Sequence, residues 1–155
     1  MKILVDADAC PVKKIIVREA RQRQIPVIMI IDSSHILQDG YSQVITVDQG
    51  TDSADFKLIS LTEPGDLVVT QDFGVAAMAL SKGASALNQN GLIFTSENID
   101  QLLFERHIGK ELRRSGKKAG KTRARTKTDD TAFEKALIHM LGNPGTSAFP
   151  EPNSI

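Results

Sequence analysis

Five aspartates stand at or just beyond the ends of short apolar runs. Asp6 closes Ile3-Leu4-Val5, and Asp8 follows one alanine later. Asp48 closes Val44-Ile45-Thr46-Val47, and Asp72 follows Leu67-Val68-Val69-Thr70 across Gln71. Asp55 opens a stretch that continues through Phe56, Leu58, Ile59 and Leu61. Carboxylates are the oxygen donors that Mg²⁺ prefers, and Mg²⁺ needs only one or two of them when water and substrate phosphates complete its shell. A pair of such ions can stabilise the attacking and leaving oxygens of phosphodiester cleavage. The chemistry to look for is therefore a Mg²⁺ or Mn²⁺ centre held by Asp6, Asp8, Asp55 and Asp72.

Those acids share a site only if the runs before them are strands of one parallel sheet. Short, continuous apolar runs read as strands buried on both faces. In open α/β sheets, ligands bind beyond the carboxyl ends of the strands. Between the runs the spacing predicts helices. One starts at Pro11 and ends near Gln24, before Pro26, with Val12, Ile15, Ile16 and Ala20 on one face. A second carries Phe56 to Leu61, and a third, Ala-rich, runs from Phe73 to Lys82. A fourth starts with Ser96 as its N-cap and carries Ile99, Leu102, Leu103 and Ile108. Further strands are expected at Val27–Ile31, ending in Asp32, at Ala84–Leu87 and at Leu92–Thr95. Strands alternating with helices imply βαβ units and a three-layer α/β/α fold around a mostly parallel sheet.

Each acid also has a plainer reading. Asp52 is a good N-cap with Asp55 at the third helical position, Asp72 could cap the helix after it, and Asp32 and Asp39 suit turns. Asp6 differs, because a carboxylate closing a buried run is costly to desolvate without a partner. Asp48, Asp52 and Thr70 are placed around the proposed ligands rather than among them. Other chemistries find less support. No phosphate-binding loop with Gly-Lys-Ser/Thr is present, and no Gly-x-Gly-x-x-Gly follows the first strand. His35, His107 and His139 are scattered and read as surface residues. The lone Cys10 excludes an internal disulfide and reads as a small buried side chain rather than a nucleophile.

The 155 residues, 41% hydrophobic and 25% charged, suit one globular domain. No apolar run approaches the roughly 20 residues of a membrane span. With Asp6 so early, the start is not expected to be a signal peptide, and a cytoplasmic location is the expectation. The net charge of zero conceals an asymmetry. From Arg106 to Lys127 there are ten basic residues and one acid, Glu111, so the remainder carries an excess of nine negative charges. A basic arm on an acidic body is a common device for holding nucleic acid. Lys110, Arg113, Arg114, Lys117, Lys118, Lys121, Arg123 and Arg125 are the expected phosphate contacts. The expected division is an α/β domain over 1–112, a mobile basic loop over 113–128, a last helix over 129–142 and a disordered tail over 143–155. Thr131-Ala-Phe-Glu134 reads as the capping box of that last helix, which Phe133, Ala136, Leu137, Met140 and Leu141 would dock on the body. No partner membrane is expected, and a homodimer is compatible with the pattern.

Three segments carry a family resemblance: Ile3-Leu-Val-Asp-Ala-Asp-Ala-Cys-Pro11, Thr51-Asp-Ser-Ala-Asp55 and Val68-Val-Thr-Gln-Asp72-Phe-Gly. They closely resemble the YaiI/YqxD family of uncharacterised bacterial proteins over about residues 1 to 142. That family is similar to the PIN-like superfamily, whose active members are metal-dependent ribonucleases with a compact α/β/α fold. The resemblance implies acids after the first strand, at a mid-chain helix start and after a later strand in a Thr-x-Asp pattern. Asp6, Asp55 and Thr70-x-Asp72 match those places, and Asp8 is an additional acid. The pattern departs at one point, since no acidic partner follows Asp72 closely. A metal-dependent ribonuclease is the leading expectation. A non-catalytic RNA- or ribosome-associated module is the second. The third is a phosphatase like the haloacid dehalogenases with Asp6 as nucleophile, which would want a well-placed Lys and a later acidic pair.

Overall fold

The computed structural model describes residues 1–32, 37–50, 53–116 and 124–144. Six strands form one sheet in the order β3-β2-β1-β4-β5-β6. They are β1 (Ile3–Asp6), β2 (Val27–Asp32), β3 (Gln43–Val47), β4 (Leu67–Val69), β5 (Ser85–Leu87) and β6 (Ile93–Phe94). The first five run parallel, and β6 turns back antiparallel to β5. The expected sheet is therefore present, closed at one edge by a hairpin. The turn Asn88-Gln-Asn-Gly91 makes that hairpin, with Asn88 Oδ1 accepting from the backbone of Asn90 and Leu92 at 2.9 Å each.

Alternation along the strands divides the interior into two cores. Ile3, Val5, Val27, Met29, Ile31, Leu67 and Val69 face α1 (Lys13–Gln22) and α5 (Lys127–Leu141). Leu4, Ile28, Ile30 and Val68 face α2 (Ser53–Leu61), α3 (Phe73–Ser81) and α4 (Ser96–Arg114). The result is a three-layer α/β/α arrangement. Among the described residues no helix is long and apolar enough to cross a membrane.

Helix starts differ from expectation in three places. Pro11 lies in a turn and α1 begins only at Lys13, with Val12 at the N-cap position and no side-chain cap. The cap of α4 is Thr95, not Ser96: Thr95 Oγ1 accepts from Asn98 N and Asn98 Oδ1 accepts from Thr95 N. The cap of α5 is Thr126, boxed with Asp129, not Thr131 with Glu134. At α4 and α5 the N-cap residue stands one and five residues earlier than expected, and the later hydroxyl falls inside the helix. Thr131 instead donates to Lys127 O. The helix α4 also extends through Arg113 and Arg114, so these two basic residues are helical.

The last helix docks as its apolar face requires, with Phe133 and Leu137 fully buried. Its start is fixed by Arg125, which donates to Asp130, to Asn90 Oδ1 at 2.7 Å and to Gln89 O at 2.8 Å. Gly91 sits at φ 90°, and a Cβ there would lie 2.6 Å from the carbonyl oxygen of Ala132. Gly91→Ala would force both a left-handed alanine and a retreat of α5. It is expected to cost on the order of 2–4 kcal/mol in equilibrium denaturation.

Candidate functional site

The acids meet at the carboxyl ends of β1 and β4. The register pairs Ile3 with Leu67 and Val5 with Val69, so Asp6 and Thr70 come next to each other. Thr70, itself buried, donates its hydroxyl to Asp6 Oδ2 at 3.4 Å, and its Oγ1 accepts from Asp72 N at 3.0 Å. One hydroxyl thus links the carboxylate of the first strand to the backbone of the loop after the fourth.

Asp72 does what its plainer reading required. Its Oδ1 accepts from Gly74 N at 2.8 Å and from Val75 N at 3.1 Å, capping α3. A Cβ on Gly74 would lie 3.1 Å from that oxygen, so the glycine leaves room for the carboxylate. Asp8 is anchored likewise, with Oδ2 accepting from Asp32 N at 2.9 Å at the end of β2. Between Asp8 and Cys10, Ala9 adopts φ 57°, a left-handed conformation that costs a non-glycine residue about 1 kcal/mol. Gln71 Nε2 donates to Ala9 O at 3.2 Å across the cleft. Asp55 lies in the first turn of α2.

The electrostatics record the crowding. The Asp6 carboxyl, ordinarily near 3.8, is raised to about 6, first by burial and then by the charge of Asp55. The Thr70 hydrogen bond opposes the rise, and Asp8 and Asp72 add to it. Three acids from separate segments, Asp8, Asp55 and Asp72, therefore bear on one half-buried carboxyl. Among the described residues, no three of them close on a single point as a ready-made metal cage. An all-oxygen donor set with excess negative charge fits a hard cation held by one or two carboxylates, with water and phosphate supplying the rest.

A cleft of 370 Å³ opens over Asp6, Asp8 and Asp72, walled by Ala9, Gln71, Phe73 and Arg106. Phe73 is braced edge-on against Phe94, with ring centroids 5.9 Å apart. In the sequence Arg106 is one of ten basic residues between positions 106 and 127. Nothing in its immediate sequence marks it, because α4 brings it to the acids through the packing of its N-terminal part on α3.

The remaining expected residues divide. Asp48 is exposed at the end of β3, two strands from β1, and lines a separate groove with Thr46 and Phe56. Lys110, Arg113 and Arg114 are exposed on α4, with Arg114 paired to Glu111 at 3.3 Å. Arg125 is spent on the α5 clamp. Asp52, Lys117, Lys118, Lys121, Arg123 and His35 lie outside the described residues. His107 and His139 are exposed, and Asp39 forms a turn by accepting from Tyr41 N and Ser42 N. Cys10 is buried, and burial pushes its thiol above the ordinary range.

This is an α/β/α protein with an acidic cleft at the carboxyl edge of its parallel strands. The family model described as "Uncharacterized BCR, YaiI/YqxD family" matches residues 4–143, and the chain belongs to that family. It is 64% identical to a UPF0178 protein of Ruminiclostridium cellulolyticum over 91% of this chain and 92% of the relative. It is 57% identical to a UPF0178 protein of Alkaliphilus oremlandii, covering 91% of each chain. A UPF0178 protein of Natranaerobius thermophilus is 47% identical over 91% of this chain and 96% of its own length. No solved structure matches the chain.

The raised Asp6 carboxyl has a definite sign. Between about pH 4 and pH 6 the folded chain keeps a proton that the unfolded chain has released, so stability declines across that window and the penalty is full above it. Asp6→Asn should therefore stabilise the fold at about pH 7.5, by roughly 1–2 kcal/mol after allowance for solvent screening, and far less at about pH 4. Urea denaturation at the two pH values measures the difference.

Proposed function

We propose that the protein is a divalent-metal-dependent nuclease acting on RNA, with the cleft over Asp6, Asp8 and Asp72 as its active site. The observation that carries this reading is the convergence of Asp8, Asp55 and Asp72 on the half-buried Asp6, facing Arg106. The matched positions Asp6, Asp55 and Thr70-x-Asp72 of the PIN-like resemblance support it.

Asp6, Asp8, Asp55 and Asp72 would hold Mg²⁺ or Mn²⁺, and the bound ion supplies a more acidic water and neutralises phosphate charge. The chain's own groups do the positioning. Thr70 orients Asp6 through Oδ2, and the α3 cap fixes Asp72 through Oδ1, leaving the carboxylate little rotational freedom to lose on binding. Arg106 offers a planar fork of donors to a phosphate entering the cleft. Lys110, Arg113 and Arg114 continue the positive charge along α4, where they would attract the backbone without reading sequence.

A second reading has a specific observation behind it. Asp8 and Asp72 each commit an oxygen to backbone N–H groups, as structural acids would, which suits an RNA-binding module without catalysis.

The decisive experiment incubates labelled single-stranded and structured RNA with the protein in Mn²⁺ or in EDTA. Wild-type cleavage should vanish in EDTA and fall by roughly 100-fold or more in Asp6→Asn and in Asp72→Asn. Arg106→Ala should raise KM while leaving the metal dependence unchanged. Cleavage indifferent to EDTA and to both aspartate substitutions would sink the reading. Salt-sensitive binding with no cleavage would select the binding module.

A further inference from the structure

Beside the acidic cleft, α2 and α3 enclose a second, mostly apolar groove of 460 Å³. Phe56, Ile59, Val75 and Met78 line it, and Asp55, Asp72, Ser60 and Lys82 supply its polar groups. Asp72 lines both spaces, so the groove adjoins the cleft. Phe56 is 79% exposed and Met78 51%, although no chain segment among the described residues covers either. A single exposed apolar residue is ordinary on a protein surface. Two that share one groove, lined also by two of the converging acids, are a different matter.

We propose that this groove seats a nucleobase of the RNA strand, stacked on Phe56, while the adjoining phosphate lies in the acidic cleft. The inference rests on the nuclease reading and adds to it the part of the substrate that is gripped. The groove's volume falls in the range of small-molecule sites, about 300–1,000 Å³, and so suits one base and its sugar. An aromatic ring accepts any base by its π-face, which gives grip without sequence preference. The flexible Met78 side chain adapts to purine or pyrimidine. The walls are tied together beforehand, because Lys82 Nζ reaches from the end of α3 to Ile59 O of α2 at 2.7 Å. The binding energy of the base is thus not spent on assembling the site.

The chain has no tryptophan, so Phe56→Trp introduces a lone indole at an exposed position where the fold should tolerate it. In Mg²⁺, adenosine 5′-monophosphate and short single-stranded RNA should quench the introduced indole, and ribose 5-phosphate should not. Phe56→Ala should weaken RNA binding by about tenfold and raise KM with kcat held, as the loss of one stacked base requires. Equal response to nucleotide and sugar phosphate, or unchanged RNA affinity in Phe56→Ala, overturns the proposal. So does a dimer in sedimentation that Phe56→Ala converts to monomer, which would give the groove to a second copy of the chain. Base-dependent quenching without Mn²⁺-dependent cleavage keeps the base seat and removes the nuclease. Cleavage with wild-type KM in Phe56→Ala does the reverse.

Discussion

The pairing of β1 with β4 governs where every acid of the cleft can stand. With Val5 opposite Val69, Asp6 and Thr70 emerge together at the same level and are joined by a hydrogen bond. Strand side chains alternate between faces, so a slip of one residue would carry Asp6 toward α1 and α5, into a core of Ile16, Phe133 and Leu137. Burying a lone carboxylate there costs several kcal/mol or shifts it to the neutral form. The apolar runs thus specify the register, and the register places the acids.

The helices convert that placement into a cleft. On the side of β1 and β4 toward which Asp6 alternates lie α2, α3 and α4. The first brings Asp55, the second is capped by Asp72, and the third carries Arg106 over the opening. Each acid has a local structural role or neighbour as well as its place in the cluster. Capping and cation binding are compatible here, because a carboxylate has two oxygens and the cap of α3 engages Oδ1.

Much of this was legible from residue order. The apolar runs before Asp6, Asp48 and Asp72 became parallel strands, because few alternatives exist for short, continuously apolar segments between helices. The gathering of Asp6, Asp8, Asp55 and Asp72 followed from that parallelism. Asp48 shows the limit: it ends a strand as the others do, but β3 is at the sheet edge, and strand order is not written in the local pattern. Caps were misplaced where two hydroxyls competed, Thr95 with Ser96 and Thr126 with Thr131, since the choice depends on where packing starts the helix. The places of Arg106 and Phe56 beside the acids went unread for a related reason. Their part in the clefts comes from the way helices lie on one another, and an arginine or phenylalanine on a helix looks the same wherever that helix lies.

The docking of α5 has a consequence in the order of synthesis. Phe133 and Leu137 complete the core against α1, yet they follow it by more than a hundred residues. As the chain leaves the ribosome, strands β1 to β6 can all emerge while one face of their sheet still lacks its second helix. The part of the core that Phe133, Leu137 and Leu141 close stays uncovered until the final helix arrives. Such late closure favours slow folding and transient exposure of apolar surface. The Arg125 clamp and the close approach at Gly91 then act as a latch on the hairpin, holding the last element in place once it lands.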